Sequence, residues 1–287
     1  QAKVDAPPFQ RALSMTLGIV SATIIALIVA LVVVSPIQHY AGQKNLYNQL
    51  RLSLAEGSTP VGPLDVKGNP VVLGTPVAVM TAPVIGIGRE VVVEGSAGSQ
   101  TMQGIGHQRN TSLPCQVGTS VLMARSGSYG AVGAAWAALR TGQEFTMQMG
   151  EGSCTYQVLD QRHPGQISPP PPTGREGRLI LTTAAGLPYM PTEVLRVDAK
   201  LVTDAFDRPA QLTAAIPPSE AAMGTDPTNA FALVLLLELL VAAVLAATWL
   251  WRRWGRWQTW IVSAPVIGVV FLLCATCVNQ IVLPNLL

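Results

Sequence analysis

Residues 13–37 read LSMTLGIVSATIIALIVALVVVSPI, a run with no charged side chain. About 20 such residues in a helix cross a hydrocarbon core roughly 30 Å thick. The run is too long for the apolar core of a signal peptide and has no convincing cleavage site after it, so it is expected to remain as an anchor. Working outward, residues 231–251 form a second apolar run, and residues 257–287 contain no Asp, Glu, Lys or Arg and hold a third. The whole chain, 287 residues with 12% charged and 49% hydrophobic, is too apolar for an ordinary soluble domain. Its net charge of +2 gives no reason to expect nucleic acid as a partner.

Lys3 and Arg11 precede the first span, and Arg252, Arg253 and Arg256 fill the turn between the other two. The positive-inside rule places both clusters in the cytoplasm, with Trp249, Trp251, Trp254, Trp257 and Trp260 as an interfacial belt. The chain thus divides into a cytoplasmic tail (1–12), a first span (13–37), a stalk and linker (38–75), an extracytoplasmic domain (76–203), a linker (204–229), a second span (230–251), a cytoplasmic turn (252–257) and a third span (258–283). The expected location is the plasma membrane, with the lipid bilayer as the first partner.

Between the spans the periodicity changes. Residues 43–52 keep a helical pattern, as a stalk continuing the first helix, and 58–74 are rich in Pro and Gly and read as linker. Residues 77–80, 90–93, 120–124, 144–149, 155–159, 178–183 and 194–202 are short β-branched runs bounded by turn formers, interrupted by a helix at 131–139. Seven or so short strands with one helix predict a mainly β fold, a closed or nearly closed β-barrel. Residues 216–228, with a Pro pair and small polar side chains, read as a tether.

An ordered set of motifs lies in this domain. It runs Ala82-Pro83-Val84-Ile85-Gly86-Ile87, Val91-Val92-Val93-Glu94-Gly95, then Gly104-Ile105-Gly106-His107 followed by Thr111, Pro114 and Gly118. Tyr129-Gly130-Ala131, Leu139-Arg140-Thr141-Gly142-Gln143, Tyr156-Gln157-Val158 and Leu179-Ile180-Leu181-Thr182-Thr183 complete it. In this order the motifs resemble those of the sortases, and among them the class E type common in high-GC Gram-positive (actinobacterial) bacteria. The resemblance covers roughly residues 76–202 and implies a sortase-like closed barrel. It also implies cysteine transpeptidase chemistry, in which a thiolate attacks a sorting-signal peptide, a His moves protons and an Arg steadies the oxyanion.

Position by position, those three roles are not filled. Arg125 stands where the resemblance expects the His, Ala184 where it expects the Cys, and Val194 where it expects the Arg; Arg196, two residues on, shares the face of Val194 and is a partial substitute for that Arg, while nothing substitutes for the other two. A methyl group cannot attack a carbonyl. The sequence therefore predicts a sortase-like pseudoenzyme with no catalytic residues, no cofactor and no metal; three scattered His and no Cys/His spacing argue against zinc.

Other residues admit a plain and a functional reading. Cys115 and Cys154 are expected to form a structural disulfide, the alternative being a relocated nucleophile. His107 reads as a loop histidine with a structural hydrogen bond, and His39 and His163 lie at the membrane edge and before a Pro-Gly turn. Glu238 sits inside the second span, where a lone charge is expensive; it reads as an intramembrane partner contact, or as a protonated group bonded near Thr276 or Asn279. Cys274 and Cys277 read as packing cysteines. Pro169, Pro170, Pro171 and Pro172 form a stiff rod, either a docking loop or a spacer.

The resulting expectation is an accessory or scaffolding subunit of a cell-envelope protein complex, packed laterally against a polytopic membrane protein. Two other readings stay open: an enzyme using Ser126, Thr183 or Cys115 as an unorthodox nucleophile, and a receptor that keeps a peptide groove without chemistry.

Overall fold

The computed structural model describes residues 7–187, 189–211 and 215–287. Lys3 lies outside the described residues.

A helical rod opens the described chain: α1 (Pro8–Val29), a π-helical turn (Ala30–Val34) and α2 (Ser35–Ala55). The π turn stands directly before Pro36, which has no N–H and whose ring collides with a carbonyl one turn back; the wider turn relieves that clash. At the other end of the chain, α5 (Ala230–Trp254) and α6 (Arg256–Val282) form a hairpin around Gly255, whose φ of 98° suits glycine alone. All three helices are long and apolar enough to cross a membrane.

The domain between them is a closed eight-stranded β-barrel. Its strands are β1 (Pro76–Ala82), β2 (Ile87–Glu94), β3 (Ile105–His107), β4 (Gly118–Met123), β5 (Glu144–Met149), β6 (Gly152–Arg162), β7 (Gly177–Leu187) and β8 (Met190–Leu201), closed in the order β1-β2-β3-β4-β7-β8-β6-β5. β2–β3 and β4–β7 run parallel; the other pairs are antiparallel. Alternating side chains fill the interior, as in β5, where Phe145, Met147 and Met149 are buried and their neighbours exposed. Trp136 of the short helix α4 (Val132–Trp136) seals the core. The helix expected over 131–139 is shorter because Ala131 is left-handed (φ 48°) and cannot extend it. A second short helix, α3 (Gly98–Thr101), precedes β3.

Cys115 and Cys154 are joined in a disulfide, with Cα atoms 5.7 Å apart. The bridge ties the β3–β4 connection to the start of β6.

The stalk does more than extend the anchor. Leu46 and Leu50 of α2 are buried against Val79 of β1 and Val91 and Val93 of β2, on the outside of the barrel. Fully burying side chains of this size contributes about 1.5–3 kcal/mol each, so the anchor helix and barrel are welded together. The 216–228 segment, expected as a tether, is pinned rather than loose. It carries the buried carboxylates Glu220 and Asp226.

Candidate functional site

Parallel pairing of β4 with β7 sets Met123 opposite Thr182, and antiparallel pairing of β7 with β8 sets Ala184 opposite Val194. Arg125, two residues beyond Met123, therefore emerges beside the end of β7. The register brings Arg125, Ala184 and Val194 to one end of the β4-β7-β8 face. On β7, Leu179 and Leu181 belong to the barrel core, while Ala184 belongs to a separate buried cluster outside it.

Arg125 does not aim at Ala184. Its guanidinium is buried, with Nε donating to Thr101 Oγ1 (3.2 Å) and an NH2 donating to the Gly98 carbonyl (3.2 Å), and it lies 5.2 Å from the centre of the Tyr129 ring. Burial pulls its pKa down to about 10, still far above neutrality. It remains a cation that clamps α3 and cannot take a proton as a base.

The outer side of Ala184 is covered by the chain itself. After α6, residues 284–287 turn onto the barrel, and Leu286 is fully buried in a cluster with Ala184 and Met123, lined by Val121, Val194, Ala222 and Met223. Backbone bonds hold the segment: Ser126 N–H donates to the Leu286 carbonyl (2.9 Å), and Asn285 N–H donates to the Gly224 carbonyl (2.8 Å). The Asn285 side-chain amide donates to Ser96 O (2.7 Å) and Ala221 O (2.9 Å), and Ser128 Oγ donates to Leu287 O. The face of β7 that carries Ala184 is thus covered by residues of the same chain.

Each of the unorthodox nucleophiles already has a partner. Ser126 Oγ donates to Leu286 O (3.2 Å) and Thr183 Oγ1 to Ala124 O (3.0 Å), with neither hydroxyl bonded to a histidine or carboxylate among the described residues. Cys115 is consumed by the disulfide.

Among the described residues none of the three histidines is bonded to Arg125, Ala184 or Val194. His107, expected on a loop, is buried in β3, with Nδ1 facing Glu94 Oε2 at 2.8 Å and Nε2 facing the Ser112 carbonyl at 2.9 Å. Two acceptors favour the doubly protonated ring: burial acts to lower its pKa, Glu94 outweighs it, and the net direction is up. His39 is paired with Glu90 (2.7 Å) and His163 with Glu193 (2.9 Å).

A polar hub invisible in the sequence joins the barrel to the membrane hairpin. Asp226 accepts from Ser99 N–H (3.0 Å), Ser99 Oγ (2.8 Å), Thr228 Oγ1 (2.6 Å) and Gln280 Nε2 of α6 (2.9 Å). Burial pushes its carboxyl up, but the bonds from Thr228 and Ser99 prevail and hold it below its ordinary value. Nearby, Gln38 of α2 donates to Thr276 of α6 (3.2 Å). The three membrane helices converge where they meet the barrel.

Within the hairpin, Leu233, Leu236, Leu240, Ala243, Ala247 and Leu250 are the partly buried positions recurring at alternating steps of three and four, as a helix seam requires. Glu238 lies two residues from both Leu236 and Leu240, roughly 200° around the helix from each, and is exposed. It has no ion pair or hydrogen bond among the described residues. The alternative contact with Thr276 or Asn279 does not form: Thr276 bonds Gln38 and the Leu272 carbonyl. Cys274 is buried and Cys277 half-buried, both as free thiols. Pro169, Pro170, Pro171 and Pro172 lie in an irregular surface loop before β7.

No family model matches the chain, and no curated protein matches it. Among solved structures, the chain is similar to a Clostridium perfringens sortase D5 transpeptidase (17% identity, 57% of this chain and 99% of that one, TM-score 0.47). It is similar to sortase A from Corynebacterium diphtheriae in a lid mutant (14% identity, 57% and 95%, TM-score 0.42). It is also similar to sortase E from Streptomyces avermitilis (22% identity, 53% and 100%, TM-score 0.38). In fold, the barrel is sortase-like. The likeness is one of architecture.

Proposed function

We propose that this protein is a non-catalytic, sortase-like membrane protein that serves as an accessory or scaffolding subunit of a cell-envelope complex. The observation that carries this reading is the exposure of Glu238 on the side of α5 away from its seam, without a partner among the described residues. A charged side chain near the centre of a span costs about 3 kcal/mol on insertion scales, and a partner helix offering a hydrogen-bond donor removes that cost. The groove supports the same reading from the other side: Ala184 supplies no nucleophile, Arg125 no base, and Leu286 fills the space above them. With the anchor, barrel and hairpin fixed to one another through α2 and Asp226, the barrel becomes a rigid cap held over whatever polytopic protein the hairpin engages.

The test is affinity isolation of the full chain from native membranes in mild detergent, in parallel with Glu238→Leu. A stoichiometric polytopic protein that is retained by the parent chain and lost with the variant supports the reading. A parent chain isolated alone, or an unchanged set of companions with the variant, overturns it.

A further inference from the structure

The face of α2 nearest the membrane opens onto a cavity of about 450 Å³ shared with β2, lined by three cations and one carboxylate. Lys44 and Arg51 line it from α2, and Arg89 lines it from β2. The Arg89 guanidinium lies 3.7 Å from the centre of the Tyr47 ring, and Arg51 lies 6.0 Å from the same centre. The contact with Tyr47 positions the Arg89 guanidinium over the ring face and leaves its N–H edge free for a ligand. The carboxylate at the cavity, Glu90, stands with one oxygen 2.7 Å from His39 Nε2. Among the described residues no carboxylate lies within ion-pair distance of Lys44, Arg51 or Arg89.

Three cations lining one cavity repel one another unless an anion joins them. The cavity volume falls in the range of small-ligand sites, and Arg recognises phosphate oxygens in paired, planar bonds. Position narrows the ligand further. His39 and Tyr40 follow the apolar run that stops at Ile37, and Tyr40 is 75% exposed, as an aromatic at a membrane interface would be. By the helical rise Lys44 stands about 10 Å and Arg51 about 21 Å beyond Ile37 along the axis, so Lys44, on its flexible stem, is nearest the headgroups of the barrel-side leaflet and Arg51 is farthest from them.

We propose that this cavity is a phosphate-binding site at the membrane surface, in which Arg89, Arg51 and Lys44 hold the phosphate of an anionic lipid headgroup. It is separate from the groove over Ala184 and does not depend on the role assigned to Glu238.

The experiment titrates the purified full chain, in a neutral detergent, with dihexanoyl-phosphatidylglycerol, dihexanoyl-phosphatidylcholine and inorganic phosphate. Phosphatidylglycerol is expected to bind at least tenfold more tightly than phosphatidylcholine. Arg89→Gln is expected to weaken it about tenfold, the loss of one charge-assisted contact. Lys44→Gln and Arg51→Gln are expected to act in the same direction, guarding against a local folding defect in one variant. Arg175→Gln, at an exposed pair with Asp207 elsewhere on the barrel, should leave binding unchanged. Inorganic phosphate binding as tightly as phosphatidylglycerol, with the same variant losses, keeps the site and moves its ligand to a soluble phosphate. Equal affinity for the two lipids, or phosphatidylglycerol binding indifferent to all three cavity variants, overturns the proposal.

Discussion

Leu286, just beyond α6, shares one buried apolar cluster with Ala184 of β7, so the segment that follows the hairpin is packed onto the barrel. A thiol placed at 184 should therefore be shielded. Ala184→Cys is expected to react slowly with a maleimide in the folded protein and readily once Leu286→Ala is added. It should form no acyl adduct with a sorting-signal peptide, since Arg125 supplies no base. Leu286→Ala alone removes a buried side chain and should cost about 2–5 kcal/mol, read from denaturant unfolding in detergent.

Asp226 is the second fastening. Asp226→Asn keeps the shape but loses the charge that Ser99, Thr228 and Gln280 address, and should cost about 3 kcal/mol. Because the folded carboxyl titrates below its unfolded value, its contribution is complete above about pH 4 and disappears as pH falls through the lower, folded value. Protease protection of the 216–228 segment, followed against pH, should fall in that acid window in the parent chain and be reduced throughout in the variant.

His107 gives the opposite sign. Its pKa is raised in the folded state, so the stabilisation by Glu94 is complete below about pH 6.5 and is lost as pH rises through the folded value. Barrel stability should decline on the alkaline side, and Glu94→Gln should flatten that slope. Unfolding midpoints across neutral and alkaline pH measure it. A slope that persists in the variant would assign the effect to another group.

The disulfide closes a 39-residue separation between Cys115 and Cys154. By loop-closure entropy, opening it should cost about 4 kcal/mol, visible as a lower unfolding temperature under reductant or in Cys154→Ser.

The strands with strong β-branched runs, β1, β2 and β4 through β8, were legible because alternation along a half-buried strand leaves a mark in the sequence. β3 was not: three residues, Ile105–His107, are too few to show a period, and His107 looked like part of a loop. The apolar spans announced themselves by length. The buried fastening of Asp226 and the seating of Leu286 on Ala184 join residues far apart in sequence, so no local pattern carries them, and the 216–228 segment passed for a tether because its polar side chains look solvated until their partners are known. Arg125 illustrates the same limit. Its position was readable from the motifs, while its direction, away from Ala184 and toward Gly98, depends on α3. For Glu238, sequence gave the depth; only the seam of Leu236 and Leu240 on the opposite side of α5 gave the face.

That face is where the account is most exposed to test. A photoreactive amino acid would be placed in intact native membranes at Leu235 or Val241, on the Glu238 side of α5, and at Leu240 or Ala243, on the seam. The expected result is a discrete crosslink from the first pair to one polytopic membrane protein, abolished by Glu238→Leu, with the seam positions yielding crosslinks only within this chain. Crosslinks from the Glu238 side to lipid alone, at every position and with or without the substitution, would contradict the accessory-subunit account.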